Sequence, residues 1–178
     1  MLAWSALLTA SGCFFSPPPL PGDPEAERPN LNLSGAVPPV SQVINISHGS
    51  TPIAFTVPFT SVDGDQDVWW FLWANWGLEG VHYENHGRVA RQADLDPGMG
   101  GAPATERSVI FSWVPSGEVA SGCNQLTLFV AHAGNVNFEE LRPIDFSQAA
   151  MATFWVNVDA PLGQGQTLVD CPLPAFGP

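Results

Sequence analysis

Three aspartates stand at alternate positions in "DGDQDVWWFLWANW", residues 63–76: Asp63, Asp65 and Asp67. Hard carboxylate oxygens packed this closely can ligate calcium. The spacing does not extend to a twelve-residue EF-hand loop. Val68 stands where glycine must turn the chain, and Ala74 where a bidentate glutamate belongs. A looser calcium site in this loop is one expectation; the other is a solvated turn whose aspartates cap backbone amides. Asp94 and Asp96 make a second such pair. His82 and His86, with Glu84 between them in "VHYENHG", are the next candidates. Two histidines four apart bind zinc from one helix face, but Gly87 and the strand-like start oppose a helix, and no third ligand is evident. The chain contains no G-x-S-x-G, no phosphate loop and no nucleophilic cysteine motif. These residues point away from an enzyme, and calcium is the one cofactor they leave open.

Directly behind the aspartates come four tryptophans and a phenylalanine. Strand alternation sends Trp69, Phe71 and Trp73 one way and Trp70, Leu72, Ala74 and Trp76 the other. Only one face of a sandwiched sheet meets the core, so one set must lie outside. Leu126, Leu128 and Val130 read as core, as do Phe154, Val156 and Val158, which leaves Phe129 and Trp155 outward. The expected patch is Phe129, Trp155 and one of the two sets holding Trp69, Trp70, Trp73 and Trp76. Such a patch must be covered by loops or the C-terminal tail, or used. Use means a protein partner, since tryptophan is favoured at binding hot spots, or a glycan stacked on the indoles.

The elements that position these residues are short. Hydrophobic residues make up 45% of the 178, enough for a core, and 18 prolines with 17 glycines argue for many turns. Period-two runs cover Val40–Ile46, Ile53–Phe59, Val68–Trp76, Val109–Val114, Leu126–Ala133 and Thr153–Val158, with a short edge at Leu31–Leu33. Phe138–Leu141 and Phe146–Met151 offer one helical turn each. Two long connections stand out, Glu84–Arg107 and Gly134–Ala150; the first is functional, mobile, or hides a further strand. Six or seven strands in this length predict an antiparallel sandwich. The net charge of −12, with 17 acidic residues against five arginines, repels phosphate backbones and anionic lipid heads. Nucleic acid is therefore excluded as a partner.

At the N-terminus, the apolar run Leu2–Ala10 suits a signal peptide and is too short to span a bilayer. It runs into "ASGC", Ala10–Cys13, which resembles a bacterial lipobox. The resemblance implies cleavage before Cys13 and a diacylglycerol on its thiol, making residues 1–12 the signal peptide. Phe14, where an aspartate would mark inner-membrane retention, leans towards the outer membrane of a Gram-negative cell. Ser16–Asn30 holds six prolines and little to bury, so 13–30 reads as a lipidated cysteine and a disordered, proline-rich tether. At ~3.1 Å per residue the tether reaches roughly 45 Å. With Cys13 lipidated, Cys123 and Cys171 remain to pair in an oxidising envelope, pinning the tail "LVDCPLPAFGP".

The order "SVDGDQDVWWFLW", "SVIFSWVP", "CNQLTLFVAHAGN", "TFWVNVDAP" resembles bacterial immunoglobulin-like domains, the PKD and cadherin-like kinds among them. The likeness covers Leu31–Pro161 within a domain at 31–178. It implies an all-β immunoglobulin-like sandwich with an aspartate-rich B–C loop ahead of a tryptophan-bearing C strand. Tyr83, the one tyrosine, is not placed to form the tyrosine corner. The expected protein is a lipid-anchored envelope module with a structural or interaction role, its partner an envelope protein or a glycan that the sequence does not name. The alternatives are a carbohydrate-binding module or a calcium-dependent adhesion domain.

Overall fold

β-Branched and aromatic residues dominate the apolar runs, and strands form wherever they alternate. The computed structural model describes residues 28–61, 66–78, 80–91 and 106–159. In chain order the strands are β1 (Asn30–Leu31), β2 (Val43–Ile46), β3 (Ile53–Thr60), β4 (Val68–Ala74) and β5 (His82–Val89). They continue as β6 (Arg107–Trp113), β7 (Gly122–His132), β8 (Val136–Asn137), β9 (Arg142–Pro143) and β10 (Ala150–Val158). Among the described residues the only helical elements are three-residue 3-10 turns.

Two sheets result, ordered β1-β3-β6 and β2-β10-β7-β4-β5, with β8 and β9 as a separate hairpin. This is an immunoglobulin-like β-sandwich, in which β10, β7 and β4 form the G–F–C sheet and β5 adds a C′ strand. One pairing departs from the expected antiparallel pattern: β2 runs parallel to β10, Val43 opposite Trp155 and Ile46 opposite Val158.

The core lies between the sheets. Phe55, Val57 and Phe59 of β3 face Leu126, Leu128, Val130 and Phe154 across it. Phe55 stacks on Phe111 at 4.8 Å between ring centroids and meets Phe154 edge-on at 5.1 Å. Buried aromatics carry large apolar area, so these rings dominate the stabilisation. Arg107 is also buried. Its guanidinium lies 4.9 Å from the Phe59 ring centroid and donates to the Ala90 carbonyl. Burial lowers its pKa, and the nearby Asp67 charge partly restores it.

The long first connection contains a strand that alternation did not reveal. β5 is polar, "HYENHGRV", and sits at a sheet edge. Its register slips between Leu72 and Trp73 of β4: Leu72 faces Asn85, while Trp73 faces Tyr83. Glu84 is the extra residue of this bulge, and a bulge re-aims its side chain. Trp70 lies flat over β5 at Gly87, where a Cβ would fall 2.7 Å from three atoms of the indole. Gly87 is therefore the condition for burying Trp70. Gly87→Ala should lower the urea midpoint by an equivalent of about 1–3 kcal/mol through overpacking. Gly117→Ala is the control, since a Cβ there meets nothing within 4 Å. It should stay within about 0.5 kcal/mol of the parent.

Candidate functional site

β4 resolves its two greasy faces by serving two cores. Trp70, Leu72 and Ala74 point into the sandwich, and Trp69, Phe71 and Trp73 point out of it. Trp70 is thus a core residue and is removed from the expected surface patch. Trp76 moves the other way. Alternation placed it with Trp70, but β4 stops at Ala74 and Asn75 turns the chain at φ 54. Asparagine tolerates this left-handed conformation. Its side chain also accepts from Gln125 N at 3.1 Å and donates to Asn124 Oδ1 at 3.0 Å. The turn brings Trp76 onto the outer face against Trp73, Phe129 and Phe146.

On that face Phe71 pairs across the sheet with Phe129, and both are buried (0% and 2% exposed). Their cover is the second long connection, 133–149, which carries the β8–β9 hairpin and contributes Val136, Leu141 and Ala149 to an outer core. Asn135 holds the cover in shape, donating to the Asp145 carbonyl and accepting from the Asp145 amide, each at 2.8 Å. Trp73 Nε1 donates to the Leu141 carbonyl at 3.1 Å and ties the cover to the sheet.

The cover is incomplete. Phe138 (51% exposed) packs edge-on against Trp69, and Phe146 (39%) lies beside Trp76 and Phe129. Phe146, Trp76 and Phe129, together with Met151 (55%), Ala149 and Arg28, border an open cleft of about 520 Å³. Arg142 lies over the Phe146 ring, 5.8 Å from its centroid. The sequence pattern points to Trp69, Trp73, Trp76 and Phe129 but not to Phe138, Phe146, Met151 and the arginines. Phe138, Phe146 and Arg142 come from the covering connection, Met151 from β10, and Arg28 from the chain entering β1.

Trp155 is outward as expected and half-buried, opposite Gln125 and Val43. Among the described residues it makes no ring contact with the cluster. Of the three aspartates, Asp63 and Asp65 lie outside the described residues. Asp67 accepts from Arg88 Nη1 at 2.9 Å and from the Arg91 amide at 3.1 Å. No group of three or more metal-ligating side chains occurs among the described residues.

His82 and His86 do not converge. His82 Nε2 lies 2.9 Å from Glu84 Oε1, and the bulged Glu84 also accepts from Trp113 Nε1 at 2.8 Å. His86 instead bonds the Tyr83 hydroxyl. Cys123 is exposed on β7 and is not a free thiol. Cys13 and Cys171 lie outside the described residues.

A second polar cluster, around His48, has no counterpart in the sequence reading. His48 Nδ1 bonds the Asp159 carboxylate, and its amide donates to Asp159 Oδ1 at 3.0 Å. Nε2 faces the carbonyls of Val119 at 3.0 Å and Ser116 at 3.1 Å. With acceptors on both ring nitrogens, the imidazolium is the form that fits. The aspartate–histidine pair resembles part of a hydrolytic triad, yet its outer nitrogen is occupied by backbone carbonyls and offers no base to a nucleophile. The Asp159 hydrogen bond, with its charge and the two carbonyls, raises the His48 pKa against the opposing effect of desolvation. His48 in turn lowers that of Asp159, chiefly through the same bond.

The raised His48 contributes stability in full below its unfolded value of about 6.5 and loses it as pH rises through its folded pKa. Asp159 contributes above about 3.9 and loses it as pH falls through its depressed pKa. The clip is therefore strongest between about pH 4 and 6.5. Melting temperature should fall between pH 6 and pH 9 in the parent. His48→Asn should flatten that fall; an unchanged slope would show that the clip does not contribute.

No family model and no curated protein sequence matches the chain. Among solved structures it is similar to the CARDB domain of the PF1109 protein from Pyrococcus furiosus, solved in complex with di-metal ions. The identity is 15%, the coverage 65% of this chain and 84% of that one, and the TM-score 0.38. It is also similar to the ASH / PapD-like domain 7 of human CEP192, at 10% identity, 92% and 99% coverage, and a TM-score of 0.30. Neither likeness bears on activity or ligand, and the sandwich stands on its own strand order.

Proposed function

We propose that this chain is a non-catalytic interaction module of a Gram-negative cell envelope. In this reading it is anchored by lipid on Cys13, carried on the segment 13–30, and stapled at its tail by a Cys123–Cys171 bridge. The anchor rests on the composition of the leader, and the bridge on the compartment that the leader implies. The interaction role is carried by one observation: the aromatic face is sealed at its centre and open at its rim, where Trp76, Phe146 and Met151 border the cleft. A soluble domain gains nothing by leaving such a rim uncovered.

The same geometry favours a protein over a glycan. A sugar platform needs coplanar rings, and these are not: they meet at 69° between Trp73 and Trp76, 76° between Trp76 and Phe129 and 39° between Trp76 and Phe146. Trp155, the other expected platform residue, stands apart. The calcium-dependent alternative is less favoured, since one carboxylate oxygen of Asp67 accepts from the Arg88 guanidinium and the other from the Arg91 backbone amide.

Two measurements test this. Intact mass of the protein from its host's membrane fraction should match cleavage before Cys13 plus acyl chains, and gain two hydrogens on reduction. An unlipidated full-length mass with free thiols would sink the anchor and the bridge. A photo-cross-linker at Met151 should trap a discrete envelope neighbour, and one at Ile110, more exposed and on the other sheet, should not. Equal trapping at both positions would remove the aromatic rim as the interaction surface.

A further inference from the structure

The geometry points to an occupant for the aromatic cleft: the proline-rich, acidic stretch Ser16–Glu27 of this same chain. The inference rests on reading this face as an interaction surface, and four observations carry it further.

The first is where the chain enters. Arg28 is itself a wall of the cleft, and a shallower groove continues past it along Pro29–Leu31 and Leu33, sharing Met151. Whatever precedes Arg28 is therefore delivered to the cleft mouth, at an effective concentration of the order of mM for a short tether.

The second is what precedes it. "SPPPLPGDPEAE" holds five prolines in two consecutive P-x-x-P registers, Pro18 to Pro21 and Pro21 to Pro24. Such a segment favours the polyproline II helix before it binds, so docking costs little ordering entropy. Grooves that read this helix are lined by aromatic rings, because a proline ring packs flat against an indole or phenyl face. This cleft offers Trp76, Phe129 and Phe146, with Trp76 and Phe146 5.6 Å apart between centroids. Its volume of about 520 Å³ falls within the roughly 300–1,000 Å³ typical of ligand sites.

The third is charge. In a chain of net charge −12 with five arginines, Arg28 lines this cleft and Arg142 lies over Phe146, one of its walls. Arg142 spans Phe146 and pairs with Glu140, and Arg28 has no ion pair among the described residues. The stretch brings Asp23, Glu25 and Glu27 and no basic residue.

The fourth is reach. Pro21 lies seven positions before Arg28, a span of about 22 Å at ~3.1 Å per residue, enough to turn back across the cleft.

Docking would also set the height of the domain. With Ser16–Glu27 in the cleft, the spacer cannot extend to its roughly 45 Å, and the sandwich is held close to the membrane. A partner that takes the cleft releases the spacer and lets the domain rise, so binding and extension become one event.

The test uses the full chain with Cys13→Ser and a nitroxide on Leu20→Cys, reading the indole N–H signals by NMR. The expected result is severalfold broadening at Trp76 and none at Trp155, abolished by Pro18→Ala with Pro21→Ala. A sharp Trp76 overturns the proposal. Broadening that survives loss of both prolines overturns it too, because nearness alone would then account for it. Broadening seen only between nitroxide-bearing and isotope-labelled copies assigns the cleft to a second copy, which also overturns it. The Met151 cross-link separates the two readings. A sharp Trp76 with a discrete Met151 neighbour sinks the internal occupant and leaves the interaction face standing. Equal trapping at Met151 and Ile110 sinks the interaction face itself.

Discussion

β4 cannot be half-solvated. Its residues are apolar on both faces, and an ordinary sandwich sheet gives a strand only one dry side. The rest of the structure follows from that constraint. The sandwich buries Trp70, Leu72 and Ala74, and a second core must be built outside for Trp69, Phe71 and Trp73. β7 takes the same character, with Leu128 and Val130 facing in and Phe129 and Ala131 facing out, all buried. A long connection that would otherwise be a surface loop becomes a structural layer, pinned by Asn135 and by the Trp73 indole.

Much of this was legible beforehand because burial writes itself into alternation. The core sets of β7 and β10, the outward placing of Phe129 and Trp155, and the sandwich itself follow from period-two spacing. What escaped notice escaped for local reasons. β5 carries almost no apolar residue, since as an edge strand it buries chiefly a backbone surface, the one Trp70 rests on. Its bulge at Glu84 also breaks the period that would have revealed it. Alternation groups Trp76 with Trp70, but a single left-handed residue, Asn75, ends the strand two positions early and separates them. The His48–Asp159 clip joins positions 111 apart in sequence, and no spacing rule connects a turn histidine to a residue at the far end of the last strand.

The candidate site was half visible for the same reason. Its floor belongs to strands and obeys alternation. Apart from Met151 of β10, its rim belongs to the covering connection and to the chain entering at Arg28, where no periodicity operates. The division fits the chemistry: the floor is apolar and sealed, and the rim combines rings, a thioether and guanidinium groups.

The parallel β2 strand has a consequence of its own. β10 is nine residues long and would otherwise present an open row of amides and carbonyls along the sheet margin. An open row of that length invites a strand from a neighbouring molecule. β2 occupies it with only four residues, Val43–Ile46, and then turns away at Ser47–Ser50. A strand that short is a poor template for further pairing. Along Trp155–Val158 it therefore blocks the addition of a further strand to the sheet.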